Sequence, residues 1–218
     1  MYSVRPNWLM RKVYSSALWR VSTQEKKIFL TFDDGPIPEI TPEVLSILKK
    51  YKAKATFFCV GANIEKYPQV FHQIISEGHS IGNHTFNHLN GWKTNTKEYL
   101  ENISKCNLTI KQVRTTNNEQ LILFRPPYGR MKRSQYSILN TQYSVVMWDV
   151  LSGDFDQTIS QEKCLQNVLF KTREGSIVVF HDSIKAKKNL FYALPKFLEH
   201  FSKKGFVFEK LETVDRKQ

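Results

Sequence analysis

The sequence predicts an α/β fold in which parallel strands alternate with helices. Short runs rich in Ile, Val, Phe and Leu recur along the 218 residues, and several are apolar on both faces. Strands that are buried on both faces belong to parallel sheets covered by helices. Stretches with helical spacing separate these runs. The pattern is typical of either a barrel or a doubly wound sheet, and it does not decide between the two.

Seven runs are predicted to be strands, and six stretches between them are predicted to be helices. The strands are 27–33, 53–60, 79–83, 121–125, 144–150, 176–181 and 206–210. The helices are 41–51, 68–77, 96–116, 132–141, 160–172 and 189–204. The first helix has the clearest start signal, because Thr41 can cap it and Pro42 suits the first helical position.

Residues 1–25 form a basic and aromatic N-terminal extension, and a single domain is predicted over 26–218. Arg5, Arg11 and Arg20 interrupt the apolar residues of the extension, so it lacks the apolar core of about 7–15 residues that a secretory signal needs. We expect a short helix that either packs on the domain or lies on a membrane surface. No apolar run approaches the roughly 20 residues of a membrane span.

The chain is strongly basic, with 32 Lys and Arg against 20 Asp and Glu and a formal charge of +12. A basic surface attracts anionic partners such as a cell envelope. The basic residues are scattered, and only 131–133 and 185–188 form clusters. This distribution argues against a dedicated nucleic-acid groove. We expect a monomer with no transmembrane segment.

Ionisable residues at the ends of the predicted strands are the candidate functional groups. The carboxyl ends of parallel strands meet at the usual functional mouth of such folds. The residues placed there are Asp33, Asp34, His84, His88, Arg125, Asp154, His181 and Asp182. We expect all of them at one rim, with Asp182 in a structural role.

Three of these residues suit a metal ion. His84 and His88 are four residues apart, so in a helical turn both rings would point to one side. Two imidazoles and one carboxylate, here Asp34, make a common zinc site that leaves a position open. Co²⁺ or Ni²⁺ would fit the same ligands. Asp33 would then stay unligated and take a proton from water.

Five motifs along the chain resemble those of a known family. They are TFDDGP, HTFNH, RPPYG, WDVLSGDF and IVVFHD. Their order and approximate spacing are similar to those of the polysaccharide deacetylases, the NodB-homology group of carbohydrate esterase family 4, from about residue 26 to about 210. The resemblance implies a distorted (β/α) barrel with seven or eight parallel strands. It also implies metal-dependent removal of N-acetyl groups from N-acetylglucosamine-type sugars in peptidoglycan, a chitin-like polymer or another envelope glycan.

The resemblance also implies a role for each motif. Asp33 would be the general base, beside the three metal ligands already named. Arg125 would pair with Asp33 and orient it, and the backbone N–H of Tyr128 would help to bind the oxyanion. His181 would be the general acid that protonates the departing amine, and Asp154 would hold and tune its ring.

Four residues are expected to form the substrate pocket. The family often has Trp where this chain has Phe155, and Leu is usual where this chain has Val179. Both positions line the pocket for the acetyl methyl in the family. Trp148 and Pro127 are expected to belong to the same wall. These departures leave the catalytic set intact and bear on substrate preference.

Other functions stay open on the sequence. One is hydrolysis of another non-peptide amide or a cyclic imide on the same fold. A second is a silent glycan-binding module, although Asp33 and His181, whose loss would mark it, are present. A third is nucleic-acid binding through the +12 charge. A glycan substrate favours the bacterial cell envelope or a membrane-associated location, and a cytoplasmic one stays open because no clear signal peptide is seen.

Overall fold

The computed structural model describes residues 3–114 and 122–212, and the strands it contains form one parallel sheet. The strands are β1 (Lys27–Asp33), β2 (Thr56–Cys59), β3 (Ser80–Asn83), β4 (Ile122–Phe124), β5 (Tyr143–Val145), β6 (Val150–Leu151), β7 (Ile177–His181) and β8 (Val207–Glu209). Their order is β5-β4-β3-β2-β1-β7-β6, and β8 also pairs with β1. Every pairing is parallel, which confirms the predicted strand type.

The predicted single strand at 144–150 is wrong, and the observed structure of this segment accounts for the shape of the sheet. Residues in this range form two short strands, β5 and β6, at opposite ends of the strand order. Only residues 146–149 connect them. Such a link spans roughly 17 Å at most, so the two ends of the sheet must lie close together. The sheet therefore curls as a barrel does, rather than lying open as a doubly wound sheet.

Helices follow most strands, as predicted. They are α1 (Trp8–Val13), α2 (Thr41–Lys50), α3 (Gly61–Lys66), α4 (Pro68–Ser76), α5 (Thr96–Arg114), α6 (Arg133–Gln142), α7 (Gln161–Leu169) and α8 (Lys187–Lys203). The short helix α3 was not predicted, because Ile64 is its only large buried apolar residue. Positions 115–116 of one predicted helix and 121 of one predicted strand lie outside the described residues. None of the described helices combines the length and hydropathy needed to cross a membrane.

The two faces of β1 separate the core from the functional rim. Successive side chains of a strand point to opposite faces. Phe32 is fully buried and stacks with Phe57 and Phe180 at ring-centroid distances of 5.0 and 6.2 Å. Thr31 and Asp33 point the other way and are bonded to a buried arginine, described below. The strand thus anchors its carboxyl end in the core and presents an acid to the interior of the barrel.

The chain after α1 fills the gap between the two ends of the sheet. The amide of Leu18 donates to the carbonyl of Val145 at 2.8 Å, and the amide of Met147 donates to the carbonyl of Leu18 at 2.8 Å. At the other edge, the amide of Leu151 in β6 donates to the carbonyl of Val4 at 2.8 Å, and next to it the amide of Val21 donates to the carbonyl of Gly175, before β7, at 2.9 Å. These backbone bonds attach the N-terminal segment to both edges.

A buried carboxylate holds the same segment. Asp149 is fully buried and accepts from Arg11 at 2.8 Å, from Arg5 at 3.2 Å and from the Ser176 hydroxyl at 2.8 Å. Burial by itself would raise the pKa of Asp149, but the hydrogen bonds from Arg5 and Ser176 outweigh it and lower the pKa. The carboxylate is therefore ionised at neutral pH and depends on its two arginines.

We expect the Arg5→Ala/Arg11→Ala variant to lose about 3 kcal/mol in free energy of unfolding at pH 7, because a buried charge loses its partners. Arg173→Ala is the matched control, since its guanidinium is half-exposed and 3.9 Å from Asp149. Urea denaturation measures both. The difference in free energy of unfolding between the parent and the double variant should shrink below about pH 4, where the carboxylate of Asp149 takes up a proton. Equal losses in the two variants would contradict this account.

Candidate active site

The two adjacent aspartates at the end of β1 have different partners. Asp33 is the last residue of the strand, and its Oδ1 accepts from Nη1 of Arg125 at 2.7 Å. Asp34 leaves the strand with φ of 84°, and its Oδ1 lies 3.0 Å from Nε2 of His88. The left-handed backbone at Asp34 sends the second carboxylate in another direction. Mutual repulsion is thus offset by a separate partner for each acid.

Asp182 fixes the turn that follows Asp34. Its Oδ1 accepts from the amide of Gly35 at 3.1 Å, and its Oδ2 accepts from the hydroxyl of Thr41 at 2.6 Å. A Cβ at residue 35 would lie 2.0 Å from Oδ2, so only glycine fits there. Burial raises the pKa of Asp182 to about 8, the Thr41 bond opposes the rise, and the charge of Asp34 adds to it. The structural role expected of Asp182 is therefore to hold the turn between the aspartates and α2.

Arg125 is held rigidly against Asp33. Its side chain is 1% exposed. Besides Asp33, Nη1 donates to the Thr31 hydroxyl at 2.7 Å, Nη2 to the carbonyl of Met147 at 2.8 Å and Nε to that of Val146 at 3.3 Å. Burial lowers the pKa of Arg125, and the charge of Asp33 opposes this shift. The guanidinium thus fixes the orientation of the Asp33 carboxylate.

The HTFNH motif brings its two histidines together without a helical turn, so the expected helical geometry is wrong. Residues 84–88 form an irregular loop, with φ of 63° at Thr85 and 54° at His88. The amide of Thr85 donates to Oδ1 of Asn83 at 2.7 Å, and the Thr85 hydroxyl accepts from the amide of Leu89 at 3.0 Å. The rings of His84 and His88 still converge, with centroids 5.1 Å apart.

Asp34, His84 and His88 form a candidate metal site. Their ligand atoms lie within 4.8 Å of one another. The described residues contain no other group of three His, Cys, Asp or Glu side chains that could hold a metal ion. Nδ1 of His84 lies 2.8 Å from the carbonyl of Arg125. A carbonyl can only accept, so Nδ1 carries the hydrogen and, in the neutral ring, Nε2 has a free lone pair. Histidines that bind metals usually donate their other ring N–H in this way.

The ionisation states of this cluster suit a divalent cation. Burial lowers the pKa of His84 to about 4, against the charge of Asp33, so its ring is neutral at pH 7. Burial works to raise the pKa of Asp34, but the hydrogen bond from His88 and the charge of His181 hold it below the ordinary range. Neutral imidazole and ionised carboxylate are the forms that bind zinc.

Asp154 holds His181 by two contacts. Its Oδ1 lies 2.8 Å from Nδ1 of the ring, and its Oδ2 accepts from the backbone N–H of His181 at 2.8 Å. The amide of Phe155 also donates to Oδ1, at 3.0 Å. Burial would lower the pKa of His181, but the charge and hydrogen bond of Asp154, with the charge of Asp34, raise it to about 9. The ring is therefore cationic at neutral pH.

A cavity of about 460 Å³ is lined by the candidate metal site, by the Asp33–Arg125 pair and by His181, whereas Asp154 is buried behind the ring of His181. Of the expected wall residues, Trp148, Phe155 and Val179 line it. Pro127 does not, and Pro126 lines the cavity in its place. Pro127 is buried at the start of a 3₁₀ turn, outside the lining of the cavity.

The same 3₁₀ turn, Pro127–Gly129, places Tyr128 at the cavity. Tyr128 has φ of 61° and Gly129 has φ of 64°, so two successive residues are left-handed. A Cβ at residue 129 would lie 2.4 Å from the Trp148 ring, which requires glycine. The Tyr128 side chain is 57% exposed, and its ring lies 4.7 Å from that of His88.

Several lining residues were not predicted. Ser3, Met10 and Tyr14 of the N-terminal segment contribute to the wall, as do Trp92, Arg130 and Lys185. None belongs to the five motifs. Only the attachment of the segment to both edges of the sheet brings residues 3–14 to the cavity, and local sequence carries no signal of it.

Comparisons with known proteins agree with this geometry. The family model for polysaccharide deacetylase matches residues 20–145. The chain is 35% identical over 192 residues to a peptidoglycan-N-acetylglucosamine deacetylase of Bacillus cereus, covering 87% of this chain and 88% of the relative. It is 33% identical over 164 residues to a chitooligosaccharide deacetylase of Azorhizobium caulinodans, covering 75% and 77%.

A solved structure has the same fold. The crystal structure of a peptidoglycan N-acetylglucosamine deacetylase in complex with 4-naphthalen-1-yl-N-oxidanyl-benzamide superimposes with a TM-score of 0.84 at 31% identity. The superposition covers 94% of this chain and 95% of that one. The expected distorted (β/α) barrel is confirmed.

Proposed function

The chain belongs to the polysaccharide deacetylase family, and we propose that it removes the N-acetyl group from N-acetylglucosamine units of peptidoglycan. The observation that carries the proposal is the convergence on one cavity of the Asp33–Arg125 pair, the candidate metal site and His181, whose ring is held from behind by Asp154. The similarity to a named peptidoglycan deacetylase supports the substrate. A chitin-like glycan is the second candidate, favoured by the similarity to a chitooligosaccharide deacetylase.

We assign Asp34, His84 and His88 to one divalent cation, with zinc preferred and cobalt or nickel accommodated by the same donors. The free Nε2 of His84, its neutral state and the ionised Asp34 support the assignment. Bound there, the cation would supply Lewis acidity that lowers the pKa of water and polarises the acetyl carbonyl.

The remaining residues divide the proton transfers. Asp33, oriented by Arg125, takes a proton from the attacking water. The backbone N–H of Tyr128 donates to the oxyanion of the tetrahedral intermediate, and losing such a donor typically costs about 10²–10³ in rate. His181 gives its proton to the amine nitrogen as the carbon–nitrogen bond breaks, and Asp154 favours its cationic form. The products are acetate and the free amine.

Acetate release from a panel of substrates tests the function. The zinc-loaded protein should release acetate from peptidoglycan strands with a higher kcat/KM than from chitooligosaccharides. The cyclic imides should stay intact. Hydrolysis of an imide without acetate from any glycan would favour the other amide hydrolase instead. Glycan binding without any turnover would favour the silent module.

The proposed general acid, His181, and its partner Asp154 can be tested by substitution. His181→Ala should lower kcat by about 10²–10⁴, the usual contribution of a general acid, and leave metal content unchanged. In Asp154→Asn the cationic ring loses its counter-charge, so the raised pKa of His181 falls. A general acid must be protonated, and the alkaline limb of the pH–kcat profile should therefore move to lower pH.

The double variant tests whether the two residues act as a unit. His181→Ala/Asp154→Asn should be little slower than His181→Ala alone, because residues that act together are non-additive. Multiplicative losses, or an alkaline limb that does not move in Asp154→Asn, would show that Asp154 does not act through His181.

A further inference from the structure

A second and more open cavity, of about 610 Å³, adjoins the catalytic cavity at Lys185, which lines both. It lies at the 3₁₀ turn Ile184–Ala186 and the start of α8. Its lining includes Lys185, Lys187, Lys188 and Lys196, which we call the lysine groove. Four cations thus extend from the mouth of the active site along one face.

The lysine groove carries an excess of positive charge. No salt bridge among residues 3–114 and 122–212 involves any of its four lysines, and all four side chains are exposed. The nearby carboxylate of Glu162 accepts from the Tyr192 hydroxyl at 2.7 Å. Like charges that line one cavity repel one another, and that repulsion is relieved when an anion binds between them.

The placement of two of these lysines runs against local preference. Lys187 and Lys188 lie in the first turn of α8, which contains no acidic residue. Cations are disfavoured at the positive end of a helix. Residues that break a local rule are expected where they serve a function. The positive charge at these two positions therefore costs α8 some stability.

The groove also offers apolar surface. Phe191 and Tyr192 line it, and Nζ of Lys196 lies 3.4 Å from the centroid of the Tyr192 ring. Ile184 is 58% exposed in the same lining. Cations beside aromatic and aliphatic surface suit a sugar polymer that carries acidic groups, because its ring faces are apolar and its substituents are charged.

We propose that the lysine groove binds the carboxylates of an acidic glycan strand whose N-acetylated sugar occupies the catalytic cavity. The shared Lys185 makes the two cavities continuous, which favours one polymer over a separate partner. The inference rests on the proposed function, and it deepens the substrate class. Peptidoglycan carries carboxylates next to each N-acetylglucosamine, on the stem peptide or, where no peptide is attached, on the lactyl group of the neighbouring sugar, whereas chitin is neutral.

The test removes three charges outside the catalytic cavity, in Lys187→Gln/Lys188→Gln/Lys196→Gln. For peptidoglycan strands, KM should rise at least about tenfold with little change in kcat, and the dependence on salt should flatten. For a chitooligosaccharide of equal length, kcat/KM should stay within about twofold of the parent. The matched control is Lys49→Gln/Lys50→Gln/Lys111→Gln, which removes the same charge from exposed positions of α2 and α5.

Equilibrium binding separates this proposal from the proposed function. Peptidoglycan strands are titrated into each lysine variant in an Asp33→Asn background, where they are not consumed. A lysine-dependent loss of affinity supports the groove even if the parent releases no acetate from any glycan. Unchanged affinity, or an equal loss in the control, would overturn it. Lysine-dependent binding of phosphatidylglycerol vesicles instead of peptidoglycan strands would also overturn it. So would a poly(glycerol phosphate) that competes for the groove as well as the strands do.

Discussion

Asp33→Asn should keep the divalent cation and lose turnover. The carboxylate of Asp33 points to Arg125 at 2.7 Å and lies outside the cluster of Asp34, His84 and His88. Removing a general base typically lowers kcat by about 10²–10⁴. Metal content after dialysis should remain at one ion per chain. Asp34→Asn, one residue away, should lower both metal content and kcat.

The stability of the fold must be controlled when Asp33→Asn and Asp34→Asn are compared, because Asp33 belongs to a buried ion pair with Arg125. Asp33→Asn leaves the guanidinium of Arg125 buried without its counter-ion, and breaking a buried pair costs about 3–5 kcal/mol. The variant should therefore melt at lower temperature, and kcat should be measured well below that temperature with the fold checked by circular dichroism. Equal metal loss in Asp33→Asn and Asp34→Asn would mean that the roles of the two acids are confused.

The local sequence predicts most of the strands of the barrel, but it does not predict the order in which they pair. Runs such as 27–33 and 176–181 are apolar on both faces, and each became one strand with nearly the predicted bounds. The run 144–150 looks the same, yet it crosses from one end of the sheet to the other. The pairing of Leu18 with residues 145 and 147 helps to hold that crossing, and such a distant contact leaves no periodicity to read.

The candidate site was predicted where a residue's type and its position at a strand end agree. Asp33, Asp34, Arg125 and His181 all lie at the carboxyl ends of strands, and the fold brings them to one rim. The conformation of HTFNH was missed, because the positive φ of His88 reflects a loop held in part by remote side chains such as Asn102.

His88→Ala should abolish tight binding of the cation. His88 supplies one of only two imidazoles in the cluster, and its Nε2 lies 3.0 Å from Asp34. Even a residue that merely supports a ligand typically contributes 10–100-fold to metal affinity, so losing the ligand itself should cost more than about 100-fold. Turnover should fall with the metal, since a cation bound there would lower the pKa of water and polarise the acetyl carbonyl.

His72→Ala is the matched control, because His72 is exposed on α4 and belongs to no cluster found in the described part of the chain. Zinc should raise the melting temperature of the parent and of His72→Ala, since a ligand that binds only the folded state stabilises it. It should leave that of His88→Ala unchanged. The side chain of His88 is 25% exposed, so its removal should not by itself unfold the barrel. A His88→Ala protein that binds zinc as tightly as the parent would show that the cation is held elsewhere, and Asp34 would then need another explanation for its position.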